Sequence, residues 1–326
     1  MYLNPKLLKK DLEIERGVIT EEYNMGDSDI DDQMFDNLLY EIFGNTGLGR
    51  PIIGTYDNIQ NFTRSDLIGY RNIFYNYLNT IFIVIGNINY TVVSNFLEKK
   101  TKNVETTNYL NIRKNFYAIQ ERPRLNITYT PSLGQIYILL GFRVDGYLKK
   151  KEIYNEKLIS HIITSGSSSK LWNLLRTKMG VAYYCSSGIL TFEDNSIFTI
   201  RSAVDENRVD EAIQKILETL YQIRKGNITN EDIKRAKRIY CNNNEMTMNN
   251  PNDLFDYYSG NVIRNLSLIS PINICSVVNN IKYSDVIKAS KDIFRKDNLN
   301  LVIMGNLKLR QKEKIIDLLD KWYYLK

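Results

Sequence analysis

Apolar positions along the chain change period several times, and each change marks an element. Leu12, Ile14, Val18, Ile19 and Tyr23 recur at helical spacing through Asp11–Tyr23, whereas Thr80–Ile85 and Leu301–Met304 are unbroken apolar runs of strand length. Between these, the pattern predicts strands at Leu125–Thr130 and Gln135–Phe142, a helix over Glu152–Thr164 and a Ser-rich loop at Ser165–Ser169. A short helix (Leu171–Lys178), two further strands (Val181–Thr191 and Ser196–Val204) and a long amphipathic helix (Asn207–Arg224) follow. Helices are also expected at Tyr90–Lys100, Asn230–Asn242 and Leu309–Lys321.

Part of this pattern occurs twice. Ser65-Asp66-Leu67-Ile68 returns as Ser284-Asp285-Val286-Ile287, and Ile83-Val84-Ile85-Gly86-Asn87 returns as Val302-Ile303-Met304-Gly305-Asn306, both 219 residues later. Ile73-Phe74 returns one residue further on, as Ile293-Phe294. In both copies a helix with a Ser-Asp cap leads into an apolar run, a Gly-Asn turn and another helix. Upstream, Met34-Phe35 stands opposite Leu254-Phe255, and the helix Asp11–Tyr23 opposite Asn230–Asn242. The second copy has a front half, Leu125–Arg224, whose equivalent would precede residue 1 by roughly 95 positions. The expected domains are therefore 1–102 (the second half of a first domain), a polar linker over 103–123, and a complete second domain, 124–326.

The 326 residues suffice for two cores of ordinary size. No apolar run approaches the roughly 20 residues of a membrane-spanning helix, and Met1–Lys10 lacks the apolar core of a signal peptide. The net charge of +6 is dispersed: Lys149–Lys151 and Lys308–Lys314 are short separate runs, read as solvated faces, so no nucleic-acid partner is expected. Cys185, Cys241 and Cys275 are widely spaced, which argues against a disulfide framework or a cysteine-based zinc site, and they are expected as reduced core residues. His161 is the one histidine, expected as an ordinary helix residue.

Glu15 and Glu22 lie seven residues apart, hence on one face of a helix and about 10 Å apart along its axis. Spacing alone reads them as two exposed acids. Their context is more specific. The run Glu15-Arg16-Gly17-Val18-Ile19-Thr20-Glu21-Glu22, with Asn4-Pro5 upstream, resembles the segment that supplies the third metal ligand in pitrilysin- and insulinase-type zinc metallopeptidases, the inverzincins. Leu48–Thr55 resembles that family's LGRPIIGT loop. Ser165–Leu171 with Leu175–Tyr183 resembles its SSRL and LREK-GLAY signatures.

This resemblance covers essentially the whole chain, in order, and it implies an α+β fold. Two homologous domains, the first truncated, would each be a mainly antiparallel sheet with helices packed on one face. It implies zinc as the cofactor, with Glu22 as the third ligand and Glu15 as its supporting acid. Arg176 and Tyr183 would contact the carbonyl of a peptide substrate held in a chamber between the domains. The family's H-x-x-E-H element, which supplies two ligands and the general base, is not in this sequence. The chain alone is accordingly expected to hold no zinc stably and to be inactive.

Three readings remain open: a partial form of a normal peptidase, a non-catalytic subunit beside an active partner, or a scaffold or binding protein reusing the fold. The truncated domain's apolar edge implies self-association or a homologous partner. Location stays open between cytoplasm and periplasm, with the cytoplasm favoured.

Overall fold

The computed structural model describes residues 5–26, 29–101, 120–147, 153–264, 266 and 268–324. The chain runs through α1 (Lys9–Gly26), α2 (Ile30–Phe43), α3 (Tyr56–Asn61), α4 (Arg64–Phe74) and α5 (Tyr90–Thr101). Next come β1 (Arg124–Tyr129), β2 (Ile136–Asp145), α6 (Tyr154–Thr164), α7 (Lys170–Trp172), β3 (Ala182–Thr191), β4 (Asn195–Val204) and α8 (Val209–Arg224). It continues with α9 (Asn230–Thr247), α10 (Pro251–Ile263), α11 (Pro271–Asn279), α12 (Tyr283–Ile293), β5 (Leu299–Gly305) and α13 (Leu309–Tyr324). Most of the expected linker, 103–119, lies outside the described residues.

Among the described residues five strands form one mixed sheet in the order β1-β5-β2-β4-β3, in which β1 and β5 pair parallel and the other neighbours antiparallel. The class is α+β, as the family resemblance implies. On one face, alternate side chains of β2 and β4 meet the helices: Phe142 and Phe198 pack edge-on against Phe294, at ring separations of 5.1 and 5.7 Å, and Phe142 also meets Trp322 of α13. The opposite face is covered by α2, whose Met34, Leu38, Ile42 and Phe43 are buried against Leu139, Ile197, Val302 and Met304. Each such burial contributes about 1.5–3 kcal/mol. The helix comes so close that a Cβ on Gly141 would lie 2.6 Å from a Leu38 methyl.

Two units emerge. One comprises Met1–Asp29, Pro51–Lys114 and Asn249–Ser267; the other comprises Ile30–Arg50, Asn115–Met248 and Leu268–Lys326. These do not follow the division at 102 and 124. Helix α2 belongs to the second unit although it lies early in the chain, and α10 belongs to the first although it lies late. The two are repeat equivalents, so each copy lodges the same helix in the other unit.

The element bounds reproduce the repeat. Helices α4 and α12 begin and end 219 residues apart, and α5 and α13 begin 219 apart. Helices α1 and α9 are both 18 residues long. In α4 and α12 the third-residue aspartate accepts the N-cap backbone N–H, Asp66 from Thr63 at 2.8 Å and Asp285 from Lys282 at 2.9 Å. The cap residue itself is therefore two residues earlier than the expected Ser65 and Ser284. Gly86 and Gly305 share a backbone conformation that favours glycine, with φ of +149° and +144°.

One element departs from expectation. Thr80–Ile85, the equivalent of β5, forms no strand. Strand β5 is held on both sides, by β1 and β2, which belong to the front half of its copy. Among the described residues the first unit contains no strand that could do the same, and a strand without a partner leaves its backbone groups to water. Helix α1 departs in a smaller way. Leu12, Ile19 and Tyr23 are partly buried, but Ile14 and Val18 of the expected apolar set are exposed.

Candidate functional site

Helix α1 carries both candidate glutamates. It is fastened within the first unit by Arg16, which donates to the carbonyls of Ile59 and, at 2.7 Å, Phe62, and by a 3.0 Å hydrogen bond from Gln60 to Thr20. Tyr23 meets the Tyr56 ring at 6.2 Å. That packing fixes the face bearing Leu12, Arg16, Ile19 and Tyr23. Glu15 and Glu22 both lie off that face, exposed, on one side of the helix.

Arg176 and Tyr183 are brought together in the second unit by two irregularities in succession. Helix α7 does not continue as an α-helix; Asn173–Lys178 is a wide π-type turn, closed by Met179 donating to Leu174 five residues back at 3.0 Å. Arg176 sits on this turn, its guanidinium 5.3 Å from the Trp172 ring centroid. The chain then reverses through Gly180, whose φ of +62° is left-handed and favours glycine. Arg208, at the start of α8, holds the reversal by donating to the Met179 carbonyl at 2.9 Å.

Strand β3 follows at the edge of the sheet with a bulge: Ala182 pairs with Val204 and Tyr184 with Ala203, which leaves Tyr183 as the extra residue. The bulge breaks the alternation, so that Ala182 and Cys185 are both buried while Tyr183 is 71% exposed. Arg176 Nη1 donates to the Tyr183 backbone carbonyl. A fork of cationic donors and a phenol are thus presented from one short stretch of chain.

Among the described residues no three of His, Cys, Asp and Glu come together as a group able to hold a metal ion. His161 is committed elsewhere. Its Nδ1 lies 2.7 Å from Ser165 Oγ, its ring lies 5.9 Å from that of Tyr240, and its pKa is pushed down by burial and by the nearby Arg235 and Lys157 charges. One exposed carboxylate does not make the closed or three-ligand site that zinc requires. Nor is any described helix long and apolar enough to cross a membrane.

The family resemblance singles out Arg176 and Tyr183 as a pair, but the sequence does not reveal the wide turn, the bulge or the Trp172 stack. The left-handed Gly180 was the available signal for the reversal. Cys241 and Cys275, expected as separate core residues, are in contact.

Residues 61–240, more than half of the chain, match the family model described as the peptidase M16 inactive domain. An uncharacterized zinc protease of Rickettsia bellii is 24% identical over 307 residues, covering 93% of this chain and 72% of that protein. Two solved structures share the fold, each at a TM-score of 0.82. One is a Helicobacter pylori protease, 21% identical, covering 92% of this chain and 73% of the other. The second is a peptidase M16 inactive domain from Pseudomonas fluorescens, 13% identical, covering 94% and 73%.

Proposed function

The chain belongs to the peptidase M16 inactive-domain family, and from that membership we propose that it is one part of a zinc peptidase acting on peptides or small unfolded polypeptides. In the completed enzyme Glu22 would be one metal ligand and Glu15 would support it. Arg176 and Tyr183 would donate hydrogen bonds to the substrate carbonyl as negative charge develops on its oxygen. The 326 residues alone would neither hold zinc nor hydrolyse peptides, because two ligands and the general base lie in an H-x-x-E-H element that this sequence does not contain.

The arrangement of Arg176 and Tyr183 carries this reading. A π-type turn and a β-bulge each lower local regularity, and both are devices that re-aim side chains at working sites. Here the two act on the very residues the family motif singles out.

An open apolar face supports completion by further polypeptide. Phe82 and Val84 are 47% and 48% exposed, whereas their repeat equivalents Leu301 and Ile303 are 1% and 0% exposed within the sheet. Ile73 and Phe96 are likewise exposed where Ile293 and Ile315 are buried. In the second copy the equivalent strand is instead paired on both sides, by β1 and β2.

The test is elemental analysis and a peptide-cleavage assay on the purified chain, with and without a polypeptide carrying H-x-x-E-H. Negligible zinc alone, with zinc and turnover both gained on complementation and both lost on Glu22→Gln, is the expected result. Stoichiometric zinc in the chain alone, abolished by Glu22→Gln, would overturn the claim of incompleteness. Complementation indifferent to Glu22→Gln would overturn the ligand role.

A further inference from the structure

We propose that Cys241 and Cys275 form a dithiol that closes to an intramolecular disulfide between α9 and α11, a redox-modifiable crosslink within the second unit. The inference is independent of the peptidase reading.

Helices α9 and α11 pack side by side, and their alignment is fixed by Lys237. Its ammonium donates to the carbonyls of Asn279 and Ile281 at 2.9 and 2.6 Å, tying α9 to the end of α11. One turn further along each helix, in opposite directions, stand Cys241 and Cys275. The Cys241 thiol donates to the Cys275 sulfur. Packed helix axes run about 8–10 Å apart and Cα atoms lie about 2.3 Å from each axis, so directly facing residues have Cα atoms about 3.4–5.4 Å apart, which overlaps the roughly 4.4–6.8 Å that a disulfide spans.

Cys241 and Cys275 are each partly exposed, whereas Cys185 is buried in β3. Burial and the hydrogen bond to Cys275 push the Cys241 thiol up to about 12. With a small-molecule disulfide as oxidant, the thiolate of one of the two cysteines attacks one of its sulfurs and expels one thiolate. The second cysteine then loses its proton to solvent, attacks the mixed disulfide at the first cysteine's sulfur and expels the other thiolate. Two protein thiols are oxidised and one external disulfide is reduced to two thiols.

The bridge has a defined consequence for the fold. Between Cys241 and Cys275 the chain leaves the second unit after Met248, contributes α10 to the first, and re-enters at Leu268. A bond from 241 to 275 closes that excursion at its base and restricts the unfolded chain there.

The full chain is incubated with oxidised glutathione under native conditions, alkylated, digested without reduction and mapped by mass spectrometry. Expected is a linked pair of peptides containing Cys241 and Cys275, with Cys185 alkylated only after unfolding. The link should persist in Cys185→Ser and vanish in Cys275→Ser, where Cys241 stays a thiol or carries glutathione. Separate glutathione adducts on Cys241 and Cys275 in the native chain, a link to Cys185, or no reaction at either thiol would each overturn the proposal.

Discussion

The Arg176 guanidinium donates to the main-chain carbonyl of Tyr183, so the cation and the backbone from which the phenol projects are held as one piece. The same guanidinium lies over Trp172, a contact that a lysine ammonium would make with different geometry and without the planar fork. If these groups bind the developing oxyanion, Arg176→Lys and Tyr183→Phe should each lower kcat about 100-fold in the peptidase reconstituted with an H-x-x-E-H polypeptide. Tyr183→Phe should leave the thermal midpoint of the chain where it was, because the side chain is exposed. Steady-state kinetics beside a melting curve separate the two effects, and an unchanged kcat in both variants would remove the oxyanion role.

Gly180 makes the reversal between the wide turn and the bulged strand. At a φ of +62° a side chain is strained even though a Cβ would meet nothing within 4 Å. Gly180→Ala should therefore destabilise the chain by about 1–2 kcal/mol through backbone strain alone. Urea titration of the two proteins measures it, and equal midpoints would show that the reversal relaxes freely.

Much of the second unit was legible in its sequence. The expected strands Val181–Thr191 and Ser196–Val204 and the helical period of Asn207–Arg224 correspond closely to β3, β4 and α8, because each element packs within its own unit. Thr80–Ile85 reads equally well as a strand, yet period and propensity describe only what a segment offers. A strand also requires neighbours, and β5 obtains its own from Arg124–Tyr129 and Ile136–Asp145. The unit boundaries were hidden for a related reason. Met34, Leu38 and Ile42 have the pattern of a buried helix, but no local feature says which sheet they will cover. At the candidate site the residue types and their seven-residue spacing were readable. The turn and the bulge that aim them depend on hydrogen bonds to Leu174, Ala203 and Arg208, which no local pattern encodes.

The repeat gives a paired prediction with opposite outcomes at equivalent positions. Leu301→Ala removes a fully packed side chain from the centre of the sheet and should cost about 2–5 kcal/mol. Phe82→Ala, at the matching position of the first copy, should change stability by no more than about 0.5 kcal/mol, as an exposed site does. It should instead reduce self-association, since it removes apolar surface from the open face. Urea titration and light scattering across a concentration series read the two effects. A large stability loss at Phe82 would mean that the face is packed in solution.

The last prediction concerns pH. Burial, followed by the Arg235 and Lys157 charges, lowers the His161 pKa in the folded chain below its ordinary value near 6.5. Unfolding restores that ordinary value, so as pH falls below about 6.5 the unfolded chain takes up a proton that the folded chain refuses. Stability should therefore decline from about pH 7 downward and level off once the pH has passed the lowered folded value. His161→Gln removes the titration and should flatten this part of the curve. Asp66, Asp210, Glu211 and Asp232, whose pKa values are lowered, contribute their own loss only at more acidic pH. Asp36 acts with the opposite sign, since its pKa is raised by burial and by Asp32. Those groups are common to both proteins, so the difference between the wild-type and variant urea midpoints, followed from pH 7.5 to 5, isolates the histidine. A constant difference over that range would show that His161 titrates alike in the folded and unfolded chain.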